Sequence, residues 1–94
     1  MFEATRTEPC AIHLAGRLDA TRAQAMDSLF QGVGETCTVH FDRLEYISSV
    51  GLSVLLATQQ RLSARGAELR LRGMTPHIRM VFNLAGFDTV FDID

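Results

Sequence analysis

The sequence predicts a single α/β domain with a mixed four- to five-stranded sheet and helices mainly on one face. Three observations support this. Short segments of alternating apolar residues are separated by stretches with helical apolar spacing. Glycine, or a threonine–proline pair, punctuates the changes of pattern. Finally, 94 residues, 47% of them apolar, supply one small hydrophobic core and little more, so residues 1–94 read as one domain.

Taken in order, residues 2–8 offer a possible first edge strand. "CAIHLAGRLD" then sets Ile12 and Leu14 against His13, a strand buried on one face that Gly16 closes. Asp19 can cap the helix that follows, because its carboxylate accepts free amide hydrogens of a first turn. That helix is expected over roughly residues 20–33, with Ala23, Met26, Leu29, Phe30 and Val33 on one side and Gly32 and Gly34 ending it. "CTVHFDRLEYI" turns Val39 and Phe41 inward in a second central strand. A long helix is expected from about residue 49 to 65, with Gly66 as its left-handed terminator. "ELRLRG" alternates Leu69 and Leu71 with arginines. Thr75 and Pro76 supply an N-cap and a first-turn proline for a short helix burying Ile78, Val81, Phe82 and Ala85. "DTVFDID" ends the chain as a brief edge strand or a frayed end. Helical crossovers between the central strands favour parallel neighbours.

Composition narrows the function. All nine basic residues are arginine against eleven carboxylates, giving a formal net charge of −2 with no basic run. Such a chain is a poor partner for nucleic acid or an anionic membrane. No apolar run approaches the roughly 20 residues that cross a bilayer, and no signal-peptide pattern opens the chain. A cytoplasmic protein without direct membrane insertion, monomeric when alone, is expected. Cys10 and Cys37 lack any ligand spacing and are expected as two buried reduced thiols.

The informative stretch is "YISSVGLSVLL". Residues 46–60 contain no charged side chain. Leu52, Leu55, Leu56 and Leu62 fall within an arc about 120° wide at helical spacing and face a core. Val50, Val54 and Ala57 fall on the opposite side, where they are either covered by neighbouring helices or form an uncharged docking face. Ser48 and Ser49 stand at the helix start. A hydroxyl there caps backbone amides, and the same amides and helix dipole suit a phosphate. Phosphorylation would bring about −1.5 to −2 charges into a stretch that has none. The helix tolerates that charge; an apolar partner surface does not.

"GRLDA", "YISSVGLSVLL" and "FNLAGFDTVFDI", in that order and spacing, resemble the STAS domain of bacterial anti-sigma factor antagonists over about residues 9–93. The resemblance implies a partner switch. The unphosphorylated antagonist binds an anti-sigma factor that is also a serine kinase; phosphorylation breaks the complex, and a phosphatase restores it. Aligned on the family pattern, Ser49 is the phosphoacceptor, with Ser48 as second choice, and Asp19 matches the acidic residue of the loop before the first helix. The docking surface comprises Asp19, Ser48, Val50, Gly51, Ser53, Val54 and Ala57, and Gly51 permits close backbone approach. Two positions depart from the pattern: Ser48 stands where the family usually has Asp, and Val50 is larger than the usual small residue. The resemblance implies no cofactor on this chain, since ATP belongs to the kinase.

Two other readings stay open. The chain is also similar to the STAS subunit that docks on the ATPase of a phospholipid-transporting ABC system. A small serine hydrolase would need a base for Ser49 among His13, His40 and His77, and "SSVG" lacks the G-x-S-x-G elbow. His13 and His40 could lie near each other on the open sheet face, but two imidazoles alone are a weak metal site, and none is expected.

Overall fold

The computed structural model describes residues 1–94. Five strands form one sheet in the order β1-β2-β3-β4-β5: β1 (Phe2–Thr7), β2 (Ala11–Leu18), β3 (Cys37–Ile47), β4 (Leu69–Arg72) and β5 (Asp92–Ile93). β1 pairs antiparallel with β2, as a short connection allows, and every later pair is parallel. Helices α1 (Ala23–Gln31), α2 (Ser49–Ser63) and α3 (Pro76–Leu84) make the crossovers, with a 3₁₀ turn at Phe87–Thr89 before β5. The sheet is therefore mixed and the fold class is the expected one.

The core explains the sequence pattern. Ile12, Leu14, Leu18, Val39, Phe41, Leu44, Leu69 and Leu71 point from the strands into one buried layer. Met26 and Phe30 of α1, Leu55 and Leu62 of α2, and Ile78 and Phe82 of α3 meet them there. Burying a side chain such as Phe30 contributes on the order of 1.5–3 kcal/mol. Phe82 sits edge-on to Phe41, Phe87 and Phe91, with centroids 5.7, 6.2 and 5.9 Å away, and so ties α3 and the 3₁₀ turn to the sheet. Thr75 caps α3 as expected, accepting from the Ile78 amide at 3.3 Å with Pro76 in the first turn.

Several expectations need correction. α1 begins at Ala23 and not near residue 20, because Asp19 organises a turn of its own before the helix. Ala85 is exposed as the C-cap of α3, and Leu56 is only half-buried. Cys10 and Cys37 are not free thiols: they form a disulfide with Cα atoms 4.8 Å apart. The pairing follows from register, since Cys37 opens β3 while Cys10 precedes β2, and the Thr38 amide donates to the Cys10 carbonyl at 3.1 Å.

The other sheet face is open and polar. His13 and His40 are register partners there, and their rings stack with centroids 4.5 Å apart. Arg72 spans to Asp92 at 3.2 Å on the same strand pair that closes the sheet.

Candidate docking site

Two parallel strands ending side by side create the site. Leu18 and Ile47 are register partners at the carboxyl ends of β2 and β3, and the Ser48 amide donates to the Leu18 carbonyl at 2.9 Å. Asp19 and Ser48 are thus the next residues out on adjacent strands. Beyond them the chain turns back as α1 on one side and α2 on the other.

The two serines have different jobs. Ser48 is the N-cap of α2, with extended backbone (φ −85°, ψ 167°), and its Oγ accepts from the Gly51 amide at 3.2 Å. Ser48 thus supplies a capping acceptor without a charge. Ser49 is the first helical residue and is exposed, and its hydroxyl has no partner within the chain. Its carbonyl accepts the Ser53 hydroxyl at 3.0 Å, one turn along. The side-chain oxygen of Ser49 lies free at a helix start whose first turn holds no acidic residue.

Gly51 is buried, below the surface assigned to it from sequence. A Cβ built there would lie 2.8 Å from Leu18 Cδ2 and 3.1 Å from Ile47 Cγ1. The helix start rests directly on the two strand ends, and only glycine permits that approach. Val54 is likewise a correction: at 9% exposure it belongs to the core cluster, because α1 covers it. Val50, at 44% exposure, and Ala57 do face solvent.

Between α1 and α2 runs a shallow groove of about 360 Å³. Val50, Ser53 and Ala57 form its α2 wall, Ala23 and Gln24 of α1 with Ala20 of the preceding turn the facing wall, and Val54 its floor. Asp27 is the one carboxylate that lines it. The α1 contribution was missed from sequence, although the small residues Ala20 and Ala23 beside Asp19 were the available signal. A larger open hollow of about 770 Å³ involves no residue of α2 and is lined by Arg17, Arg43, Glu3, Asp42 and Glu45 among others. Its mixed charges set it apart from the groove.

Asp19 accepts the Thr21 hydroxyl at 2.7 Å and the Arg22 amide at 3.1 Å. The Thr21 hydrogen bond, more than the amide and charge of Arg22, holds its carboxyl below the usual carboxylate range against a smaller opposing effect of desolvation. A fixed negative charge therefore stands beside the serine loop at neutral pH. Arg17 lies over the Tyr46 ring at 4.5 Å and braces the strand ends just before that loop.

No nucleophile–base pair is assembled. His13 and His40 stack with each other on the open face, and His40 precedes the end of β3 by seven residues, roughly 20 Å at strand rise. No group of three or more His, Cys, Asp or Glu side chains could hold a metal ion. No helix is long and apolar enough to cross a membrane.

Fold and site together define a small α/β domain with a capped helix start and a shallow groove beside it. The chain belongs to the STAS domain family: the family model described as "Mlab, STAS domain" matches residues 1–92. A Bordetella bronchiseptica protein, BtrV, assigned as an anti-sigma factor antagonist, is 43% identical over 51 residues, which cover 54% of this chain and 44% of that relative. The matched segment thus spans less than half the relative's length. Among solved structures, the unphosphorylated anti-sigma factor antagonist SpoIIAA superposes with a TM-score of 0.77 at 22% identity, covering 100% of this chain and 88% of that one. The phosphorylated form of the Bacillus protein gives 0.72 at 21% identity, covering 100% and 91%. An anti-sigma factor antagonist from Mycobacterium paratuberculosis gives 0.84 at 20% identity, covering 99% and 83%. At these identities the likeness speaks for the fold.

Proposed function

We propose that this chain is an anti-sigma factor antagonist controlled by phosphorylation of Ser49. Unphosphorylated, it docks on an anti-sigma factor that is also a serine kinase; phosphorylated, it is released, and a phosphatase resets it. It is a non-catalytic regulator that acts by occupying a partner. The observation that carries this reading is the free, exposed Ser49 hydroxyl at the start of an uncharged helix face. The assigned role of the Bordetella relative supports the partner class.

The physical logic is a difference in tolerance. A phosphate on Ser49 sits at the positive end of the α2 dipole, where a negative charge is favourable by about 0.3–1 kcal/mol at an exposed terminus. The same phosphate would face a partner surface matched to Val50, Ser53 and Ala57. Desolvating a charge there without a counter-charge costs several kcal/mol. Asp19, ionised on the adjacent strand end, is a like charge whose repulsion water screens in the free domain and a dry partner surface would not. The switch thus costs the free domain little and the complex much.

A pull-down of the anti-sigma factor kinase tests this with Ser49→Ala and Ser49→Asp variants. The alanine variant is expected to bind as the unmodified protein does and the aspartate variant to be lost from the complex. Equal capture of both would remove charge at Ser49 as the control.

The family model's Mlab description supports a second reading. In it, the same α1–α2 groove docks permanently on the ATPase of a phospholipid-transporting ABC system. A stoichiometric complex that survives Ser49→Asp would favour it.

A further inference from the structure

The two ends of α1 are held very differently. At the C-terminal end, Arg61 of α2 donates from Nη1 to the Val33 carbonyl at 2.6 Å and from Nη2 to the Phe30 carbonyl at 2.8 Å. Arg6 of β1 reaches the same turn from the other side and donates to the Gly32 carbonyl at 3.0 Å. Two guanidinium groups thus donate to three carbonyls of the helix end, of which that of Phe30 also accepts the Val33 amide at 3.0 Å. A planar fork serves two carbonyls in a fixed geometry, whereas an ammonium group is a point charge on a flexible stem.

The N-terminal end is tied only to its own preceding turn, where the Arg22 amide donates to the Asp19 carboxylate and carbonyl, each at 3.1 Å. Its N-cap, Arg22, makes no side-chain cap hydrogen bond, and the first helical bond, from the Met26 amide to the Arg22 carbonyl, is 3.3 Å long. The inserted side chains also grow along the helix, from Ala23 through Met26 to Phe30, all buried. α1 is therefore held to neighbouring elements by charged hydrogen bonds at its far end and by the packing of smaller side chains beside the serine loop. The groove wall formed by Ala20 and Ala23 lies at the loosely held end.

We propose that Arg61 is a positioning residue for the groove, pinning the C-terminal turn of α1 to α2 so that the helix pivots about that end and the groove changes width beside Ser49. The device rests on the reading of the groove as a docking surface only for its purpose; the pivot itself belongs to the free domain. A partner that inserts between Ala23 and Val50 then moves one end of one short helix and leaves the core in place.

Residue-resolved amide hydrogen exchange on the isolated protein tests this without any partner. In the unmodified protein, Gly32 and Val33 amides should exchange at least about tenfold more slowly than those of Met26 and Asp27. Arg61→Met should abolish that gradient by accelerating the C-terminal amides about tenfold or more, the scale expected for losing charged hydrogen bonds. Val39 and Phe41 of β3, corrected for the denaturation midpoint, should stay within about twofold. Arg61→Lys, which leaves the fold least disturbed, should give an intermediate gradient. Even protection along α1 in the unmodified protein, or an unchanged gradient in either variant, would overturn the pivot. Either result leaves the pull-down of the Ser49 variants untouched, so the two proposals fail separately.

Discussion

Gly51→Ala is the substitution whose sign the structure reverses. In an ordinary exposed helix interior, replacing glycine by alanine gains up to about 1 kcal/mol of helix propensity. At Gly51 the added Cβ would stand 2.8 Å from Leu18 Cδ2, 2.9 Å from Leu18 Cγ and 3.1 Å from Ile47 Cγ1. Carbon atoms pack at about 3.5–4.0 Å, so the helix start must retreat by roughly 1 Å or the strand ends must yield. Leu18 is 0% exposed and Ile47 5%, which leaves neither a free direction in which to turn. Overpacking of this kind costs about 1–3 kcal/mol, and the propensity gain is reduced because Gly51 lies in the first turn. The expected net result is a loss of about 1–2 kcal/mol, or a midpoint roughly 4–8 °C lower per kcal/mol for a domain of this size. Urea denaturation followed by circular dichroism, with thermal melts in parallel, measures it. A Gly51→Ala protein equal to or more stable than the unmodified one would refute the close seating of α2 on β2.

Four further outcomes follow from the same geometry. Ser48→Ala removes the acceptor for the Gly51 amide and should cost about 1 kcal/mol, whereas Ser48→Asp should retain the cap, both read by urea denaturation. Reducing the Cys10–Cys37 bond, which spans a sequence separation of 27, should lower stability by about 3–4 kcal/mol on the loop-entropy relation, seen as a fall in denaturation midpoint with a dithiol. Asp19 has a folded-state pKa below its unfolded value, so its contribution is present above the unfolded value and lost as pH falls through the folded one. Thr21→Ala removes the largest cause, and a carbon-detected NMR titration should then show the Asp19 carboxyl titrating at higher pH. Ala57→Glu puts a carboxylate on the exposed α2 wall; it should weaken capture of the anti-sigma factor in a pull-down while leaving the melting temperature nearly unchanged.

Local pattern carried the strands and the capped start of α2, because each depends on residues close in sequence. Thr75 with Pro76, and Gly66 at φ +75°, were legible for the same reason. What escaped depends on non-local contact. Val54 reads as outward on the periodicity of α2 alone, and only the position of α1 buries it. The Cys10–Cys37 bond needed the register of β2 on β3, which no spacing in the sequence encodes. The exposed pair Asp42 and Arg43 interrupts the alternation of β3 at an irregularity in that same register. At the site, the resemblance picked out the serine pair, but only geometry divides a capping hydroxyl from a free one. The two arginine anchors of α1 were invisible because they join residues about 30 positions apart.

The central claim, that Ser49 is the switch, is tested most directly by mass spectrometry of the protein incubated with its anti-sigma factor kinase and ATP. A single phosphate is expected, located on Ser49, with Ser48 unmodified because its oxygen is engaged in capping α2. Phosphate on Ser48 alone, or on neither serine, would contradict it.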